Sequence, residues 1–76
     1  MTITSEASTA WKGGLADGSG AVTLVSSNTG TFDVNWRARS EGSTSTTTPE
    51  ELIAAAHSSC FSMALSHALG ENGTPP

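Results

Sequence analysis

The stretch that decides the fold runs from Thr48 to Gly70 and reads TPEELIAAAHSSCFSMALSHALG. It opens with residue types that start helices: Thr48 suits the N-cap, Pro49 suits the first helical position, and a glutamate follows three residues after the cap. Gly70 is the residue type that often ends a helix. We therefore predict a helix over about residues 49–69, roughly 31 Å long at 1.5 Å per residue.

No formally charged residue occurs between Leu52 and Gly70, a length that would allow a membrane span. Its two histidines, four serines and five alanines make the segment too polar for strong insertion, so we expect no membrane span. A helix without a charged face in a soluble protein is normally buried on most sides. A chain of this size buries only about 60–65% of its unfolded surface, too little to cover such a helix. We therefore expect a partner, most simply a second copy.

The composition limits the classes of partner and the location. The 76 residues make one domain at most, and a net charge of −4 with three basic residues argues against nucleic acid as a partner. The first basic residue is Lys12, so we expect no secretory signal. A single cysteine suits a reducing compartment, and we expect a cytoplasmic protein.

The first half of the chain has the pattern of a β-sheet. Turn signals containing Asp-Gly, Ser-Gly and Asn-Thr-Gly separate three short segments of strand-like composition. In the third segment apolar and polar residues alternate, which predicts one apolar and one polar face. The apolar face is expected to pack on the long helix, an α+β arrangement. The predicted elements are an antiparallel meander of strands over residues 6–12, 21–26 and 31–38, and a polar loop over residues 39–48.

Cys60, at the middle of the predicted helix, has two possible roles. A lone cysteine is most often a small buried hydrophobic residue. A reactive cysteine needs a nearby cation, because the thiolate is the nucleophile and a free thiol titrates near about 8.5. The helix dipole is felt mainly in the first turn, so the cation would have to be Lys12, Arg37, Arg39 or a histidine.

His57 precedes Cys60 by one helical turn, so the two side chains could form a nucleophilic pair of the Cys–His hydrolase type. A histidine packed among alanines or at an interface is the simpler interpretation. His57 and His67 are about 15 Å apart along the helix axis. Because a zinc site needs three or four ligands, we expect no metal site.

The two arginines bracket the end of the predicted third strand. Arg37 shares the polar face of that strand and is interpreted as a solvated charge. Arg39 opens the following loop, from which it could be aimed at Glu50 in the first helical turn through a two-pronged hydrogen bond. Glu50 could also serve only to complement the helix dipole.

The helix segment is long enough to compare with known families. Its first seventeen residues, PEELIAAAHSSCFSMAL, closely resemble the OsmC/Ohr family of osmotically inducible and organic-hydroperoxide-resistance proteins. The motif His-x-x-Cys-Phe-Ser-Met-Ala-Leu is similar to the motif of the OsmC branch of this family. Trp11-Lys12-Gly13 and then Arg39-Ser40-Glu41-Gly42 follow the family in the same order, so the resemblance covers nearly the whole chain.

The resemblance implies a thiol-dependent peroxidase that reduces organic hydroperoxides to alcohols through a cysteine sulfenic acid, without a bound cofactor. By position in the motif, Cys60 is the peroxidatic thiolate, Arg39 the activating cation and Glu50 the carboxylate that holds the arginine. The resemblance also implies a thiol reductant such as a lipoyl dithiol. The apolar helix residues expected to contact alkyl or lipid peroxides are Ile53, Phe61 and Met63.

The spacing of Glu50 and Cys60 adds a prediction about assembly. Ten residues of a straight helix span about 15 Å, which one arginine cannot easily bridge within a single chain. Two antiparallel helices from two copies would bring these residues together. We therefore predict a homodimer with active sites at its interface, in agreement with the family.

Family members continue beyond the length of this chain, through a second half that supplies a resolving cysteine. We therefore expect residues 1–76 to form the N-terminal part of an OsmC-like domain. The alternative is a non-catalytic oligomerisation or binding module, or an inactive truncated form, in which Cys60 is a packing residue. Rapid alkylation of Cys60 at neutral pH would support the enzyme, and inertness until denaturation would support the module.

Overall fold

A computed structural model describes residues 2–76. Three strands form one antiparallel sheet in the order β1-β2-β3, and two helices follow. This confirms the predicted α+β class and the meander. The elements are β1 (Ala7–Lys12), β2 (Ser19–Leu24), β3 (Thr31–Val34), α1 (Trp36–Glu41) and α2 (Pro49–Glu71).

The sheet has one apolar and one polar face, as predicted. Val22 lies opposite both Thr9 and Phe32, and residues directly opposite one another point to the same side of a sheet. Every second residue shares that side. The apolar face thus carries Trp11, Val22, Leu24, Phe32 and Val34, and the polar face carries Ser8, Lys12, Thr23, Thr31 and Asp33.

The third strand ends at Val34, four residues earlier than the sequence pattern predicted. Asn35 keeps an extended backbone, and its side-chain oxygen accepts a hydrogen bond from the Ala38 N–H at 2.8 Å. That bond satisfies one of the free N–H groups at a helix start, so the chain turns into α1 although the alternation of apolar residues continues. Arg37 therefore lies on a helix and not on a strand, where its Nε pairs with Glu41 at 2.9 Å.

The connection between the helices is shorter than predicted and is ordered by its own hydroxyl groups. α1 ends at Glu41, and Gly42 follows with φ of +89°, a conformation that favours glycine. The hydroxyl oxygen of Ser43 then accepts hydrogen bonds from the backbone N–H groups of Ser45 and Thr46, at 3.1 and 3.0 Å. The polar loop thus spans residues 42–48 and not 39–48.

The long helix α2 begins as predicted and ends later. Thr48 is its N-cap, with a hydroxyl oxygen that accepts the Glu51 N–H at 3.0 Å. The prediction that Gly70 ends the helix is wrong, because the helix continues to Glu71 and is about 35 Å long. The glycine that ends it is Gly73, with φ of +77°.

The C-terminal end of α2 is a Schellman motif. The Gly73 N–H donates to the Gly70 carbonyl at 3.1 Å, and the Thr74 N–H donates to the Leu69 carbonyl at 2.9 Å. These bonds satisfy carbonyl groups that would otherwise lack partners. The helix is therefore more stable when it extends through Gly70 to this cap. A glycine inside a helix is unfavourable by itself, and here the cap offsets that cost.

The expected packing of the sheet on the long helix is not formed within the chain. Extensive contacts between elements occur only between neighbouring strands, and no residue of α2 is buried. Ala38, 3% exposed, is the one buried hydrophobic residue between residues 2 and 76. The described chain is a flat body of 53 × 33 × 15 Å. By length and composition alone, α2 is also long and apolar enough to cross a membrane.

The cap at Thr48 should contribute measurably to stability. Replacing Thr48 with alanine removes the acceptor of the Glu51 N–H, and we expect the free energy of unfolding to fall by about 1 kcal/mol. Thr44→Ala, in the same loop and exposed, is the matched control. Chemical denaturation followed by far-UV circular dichroism measures both variants. Equal stabilities of the two variants would contradict the assigned cap.

Candidate active site

Arg39 and Glu50 form the one close contact that joins the two helices. Arg39 lies in the last turn of α1, and Glu50 lies in the first turn of α2. Nη2 of Arg39 is 2.9 Å from Oε2 of Glu50, and Nε donates to both carboxylate oxygens at 3.0 and 3.2 Å. The guanidinium thus meets the carboxylate along its Nε–Nη2 edge, an orientation-specific pairing. Nη1 lies outside that edge.

The pair changes the acidity of the carboxyl group. Hydrogen bonding from Arg39 lowers the pKa of Glu50 below its ordinary value, a shift that slight desolvation opposes. Because the pKa of Glu50 is lower in the folded than in the unfolded state, the pair stabilises the fold at pH values above the ordinary pKa of glutamate. This contribution is lost as the pH falls through the lower pKa of the folded state. Both side chains are about half exposed, 49% and 58%, so solvent screens their attraction.

Cys60 lies on the same helix as Glu50 but not beside the pair. The thiol is free and exposed. Ten residues of helix separate Cys60 from Glu50, about 15 Å along the axis and about 80° around it. Of the three residues predicted to act together, the structure joins Arg39 and Glu50 and leaves Cys60 apart within the chain. His57, one turn before Cys60, is also exposed.

The three residues predicted to contact substrate are all exposed on α2. The exposed fractions are 69% for Ile53, 61% for Phe61 and 73% for Met63. At 100° per residue, Ile53 and Met63 lie within about 60° of Cys60 around the helix, and Phe61 lies about 100° away. Ile53 and Met63 thus form an apolar strip beside the thiol.

A cleft of about 690 Å³ lies on another side of the helix. β3, the loop residues 43–47 and the first two turns of α2 line it, and it includes neither Cys60 nor the three predicted substrate residues. Phe32 and Leu52 give it apolar walls, and Asp33 and Glu51 give it two carboxylates. One of these, Glu51, accepts a hydrogen bond from the Thr47 hydroxyl.

The serines near Cys60 are engaged in their own helix. The hydroxyls of Ser58 and Ser59 both donate to the Ala55 carbonyl, at 3.0 and 2.8 Å, and the Ser62 hydroxyl donates to the Ser58 carbonyl at 2.8 Å. These bonds take up the hydroxyl protons of the three serines, whereas the Cys60 thiol is free and exposed. Residues 2–76 contain no group of three or more His, Cys, Asp or Glu residues placed to hold a metal ion.

Sequence reasoning missed the element that presents Arg39. The interval between Asn35 and Gly42 has the length and the end residues of a short capped helix, which was the available signal. The alternating Phe32, Val34 and Trp36 pointed instead to a longer strand. The helix matters to the site because it fixes the backbone from which the arginine reaches Glu50.

Comparison with known proteins shows which sequences this chain is similar to. The chain is similar over its whole length to two proteins of the OsmC kind. All 76 residues are 43% identical to the protein called peroxiredoxin OsmC in Escherichia coli K12, and equally to the one in Shigella flexneri. The chain spans about half the length, 52%, of these curated relatives. No protein-family model matches the sequence.

The lowered pKa of Glu50 tests the geometry of the pair directly. A pH titration of side-chain carboxyl chemical shifts should place the Glu50 pKa below that of an unpaired glutamate, because Arg39 hydrogen-bonds to its ionised form. Arg39→Gln should raise this pKa toward the ordinary value. Arg37→Gln is the matched control, since Arg37 pairs with Glu41. A Glu50 pKa unaffected by Arg39→Gln would rule out the pair in solution.

Proposed function

We propose that this chain carries the peroxidatic site of a thiol-dependent peroxidase that reduces organic hydroperoxides. The observation that supports this most is the Arg39–Glu50 pair, placed at the start of the helix that carries an exposed, free Cys60. These are the residues that the OsmC-like motif assigns to catalysis. The kinship with proteins named peroxiredoxin OsmC supports the reaction class.

The proposed reaction begins with the Cys60 thiolate attacking one oxygen of the peroxide. A sulfur–oxygen bond forms, the O–O bond breaks, and the second oxygen leaves as an alkoxide that takes up a proton to become the alcohol. The peroxide gains two electrons, and the sulfur is oxidised to a sulfenic acid. The reaction therefore needs a group that favours the thiolate and stabilises the negative charge on the departing oxygen.

Arg39 is the proposed source of that stabilisation. Its charge is permanent, and its Nε–Nη2 edge is held by Glu50 so that the guanidinium has a fixed orientation. Nη1 lies outside the pair and can donate to the peroxide oxygens. Glu50 thus acts as a positioning residue, and the same hydrogen bonding from Arg39 lowers its pKa.

The active site is proposed to be shared between two copies of the chain. Within one chain Cys60 lies about 15 Å along the helix from Glu50. An antiparallel partner helix would place its own Arg39 and Glu50 near this thiol. The apolar strip of Ile53 and Met63 and the exposed α2 also need a partner to be buried. A homodimer satisfies both requirements.

The remaining steps concern substrate and recycling. Ile53, Phe61 and Met63 are proposed to favour alkyl or lipid peroxides, because apolar groups bind an alkyl chain better than they bind hydrogen peroxide.

Cys60 is the single cysteine of the 76 residues. The sulfenic acid therefore needs a second thiol, which the second half of a longer chain or an external dithiol of lipoyl type would supply. Reduction yields water and a disulfide. A cytoplasmic setting would keep such thiols reduced.

The proposal predicts which residue controls the reactivity of Cys60. Arg39→Ala should lower the rate of iodoacetamide alkylation at neutral pH by about tenfold and move the midpoint of the rate–pH curve upward, because the thiolate loses its cation. Peroxide consumption should fall with it. Alkylation of the sole cysteine is followed by intact mass.

His57→Ala is the matched control for this experiment. A loss of thiol reactivity in His57→Ala, with Arg39→Ala unaffected, would support a Cys–His nucleophile and contradict the proposal. A thiol that stays inert until the protein is denatured would support the alternative, a non-catalytic module in which Cys60 is a packing residue. Both outcomes are read from the same rate–pH curves.

A mixing experiment tests the shared site. Cys60→Ser and Arg39→Ala chains are each expected to be inactive as homodimers. When they are unfolded together and refolded, a heterodimer regains one complete site, so the mixture should reach about a quarter of the activity of the unchanged protein. An inactive mixture, with heterodimers confirmed by native mass spectrometry, would place each active site within one chain.

A further inference from the structure

We infer that Asn35 is a positioning residue for the proposed reaction, because its cap holds the short helix α1 that aims Arg39 at Glu50. The inference rests on the proposed function for its catalytic consequence. The geometric part, that Asn35 sets the Arg39–Glu50 pair, stands on contacts within the chain. Asn35 itself touches neither the thiol nor the pair, so its effect is transmitted through the backbone of α1.

α1 is too short to be stable by itself. It contains six residues, and helices much shorter than about twelve residues are marginal in water unless other contacts support them. No acidic residue in its first turn assists its dipole. Its support comes from its caps, from Ala38, the one residue it buries, and to a smaller extent from the exposed Arg37–Glu41 pair.

The supporting contacts converge on Ala38, directly before Arg39. The Ala38 N–H donates to the Asn35 side chain at 2.8 Å, and the Ala38 carbonyl accepts the Gly42 N–H at 2.9 Å. The side chain of Ala38 is 3% exposed. The peptide unit that joins Ala38 to Arg39 is thus fixed at its carbonyl, and the preceding one at its N–H. This fixes the point from which the arginine side chain projects.

Gly42 holds the other end of α1 in a way that can be tested separately. Its φ of +89° is unfavourable for any residue with a side chain, yet a Cβ placed there would meet no atom within 4 Å. Gly42→Ala therefore disturbs only the backbone conformation at the end of α1. If α1 aims Arg39, a disturbance at either end should loosen the same ion pair.

The decisive measurement is the Glu50 pKa in Asn35 variants. Asn35→Ala removes the cap, and we expect the equilibrium constant for forming α1, and with it the Arg39–Glu50 pair, to fall about fivefold, the effect of losing a typical N-cap. The Glu50 pKa should then rise toward its ordinary value. Asn35→Ser also supplies an N-cap oxygen and should restore the lowered pKa. Gly42→Ala should raise the pKa as Asn35→Ala does.

The same variants report on catalysis. In Asn35→Ala the rate of Cys60 alkylation at neutral pH and the turnover of peroxide should both fall, by at most about fivefold. Asn35→Ser should recover both. Chemical shifts of Thr23 and Thr31, whose hydroxyls lie 3.1 Å apart on the polar face, report whether the sheet is intact in each variant.

The two proposals can fail independently. An unchanged Glu50 pKa in both Asn35→Ala and Gly42→Ala, with the sheet intact, would overturn the positioning role. A raised pKa without rescue by Asn35→Ser would overturn it as well, since the cap would then not be the cause. If Arg39→Gln leaves Cys60 alkylation unchanged, the proposed function fails, while the Glu50 pKa still decides the role of Asn35.

Discussion

The ion pair between Arg39 and Glu50 is the constraint on which the arrangement of the helices depends. It joins the end of α1 to the start of α2 across the loop of residues 42–48, and no residue of α2 is buried elsewhere in the described chain. A half-exposed pair contributes little to stability. Its importance here is that it fixes the orientation of the Arg39 guanidinium. It gives a mobile side chain one orientation at the beginning of the helix that carries the thiol.

Local chemistry in the sequence predicted much of the fold. The cap at Thr48 and the alternation of apolar residues in the strands are short-range signals, and the structure confirms the start of α2 and the two faces of the sheet. The same alternation gave a wrong prediction after Val34, where the Ala38 N–H donates a hydrogen bond to the Asn35 side chain and the chain enters a helix. The helix end was wrongly predicted at Gly70 for a similar reason, because Gly73, three residues later, completes a Schellman motif with backbone hydrogen bonds.

The candidate site was predictable only in part. The resemblance assigned site roles to Cys60, Arg39 and Glu50, and these roles stay predictions. The contact between Arg39 and Glu50, which the short loop between them made possible, is present in the structure. The position of Cys60 relative to the pair follows from helix geometry, about 15 Å of axis in one chain. The sequence pattern did not predict the helix α1, because six residues give a weaker periodic signal than the strand pattern that precedes them.

The serines of α2 have a further consequence for how that helix can be covered. Because Ser58, Ser59 and Ser62 return their hydroxyl protons to carbonyls of their own helix, they place no directional demand on whatever lies against them. Apolar surface can therefore cover these three positions without leaving a hydroxyl proton unpaired, because each hydroxyl already has a carbonyl partner within α2.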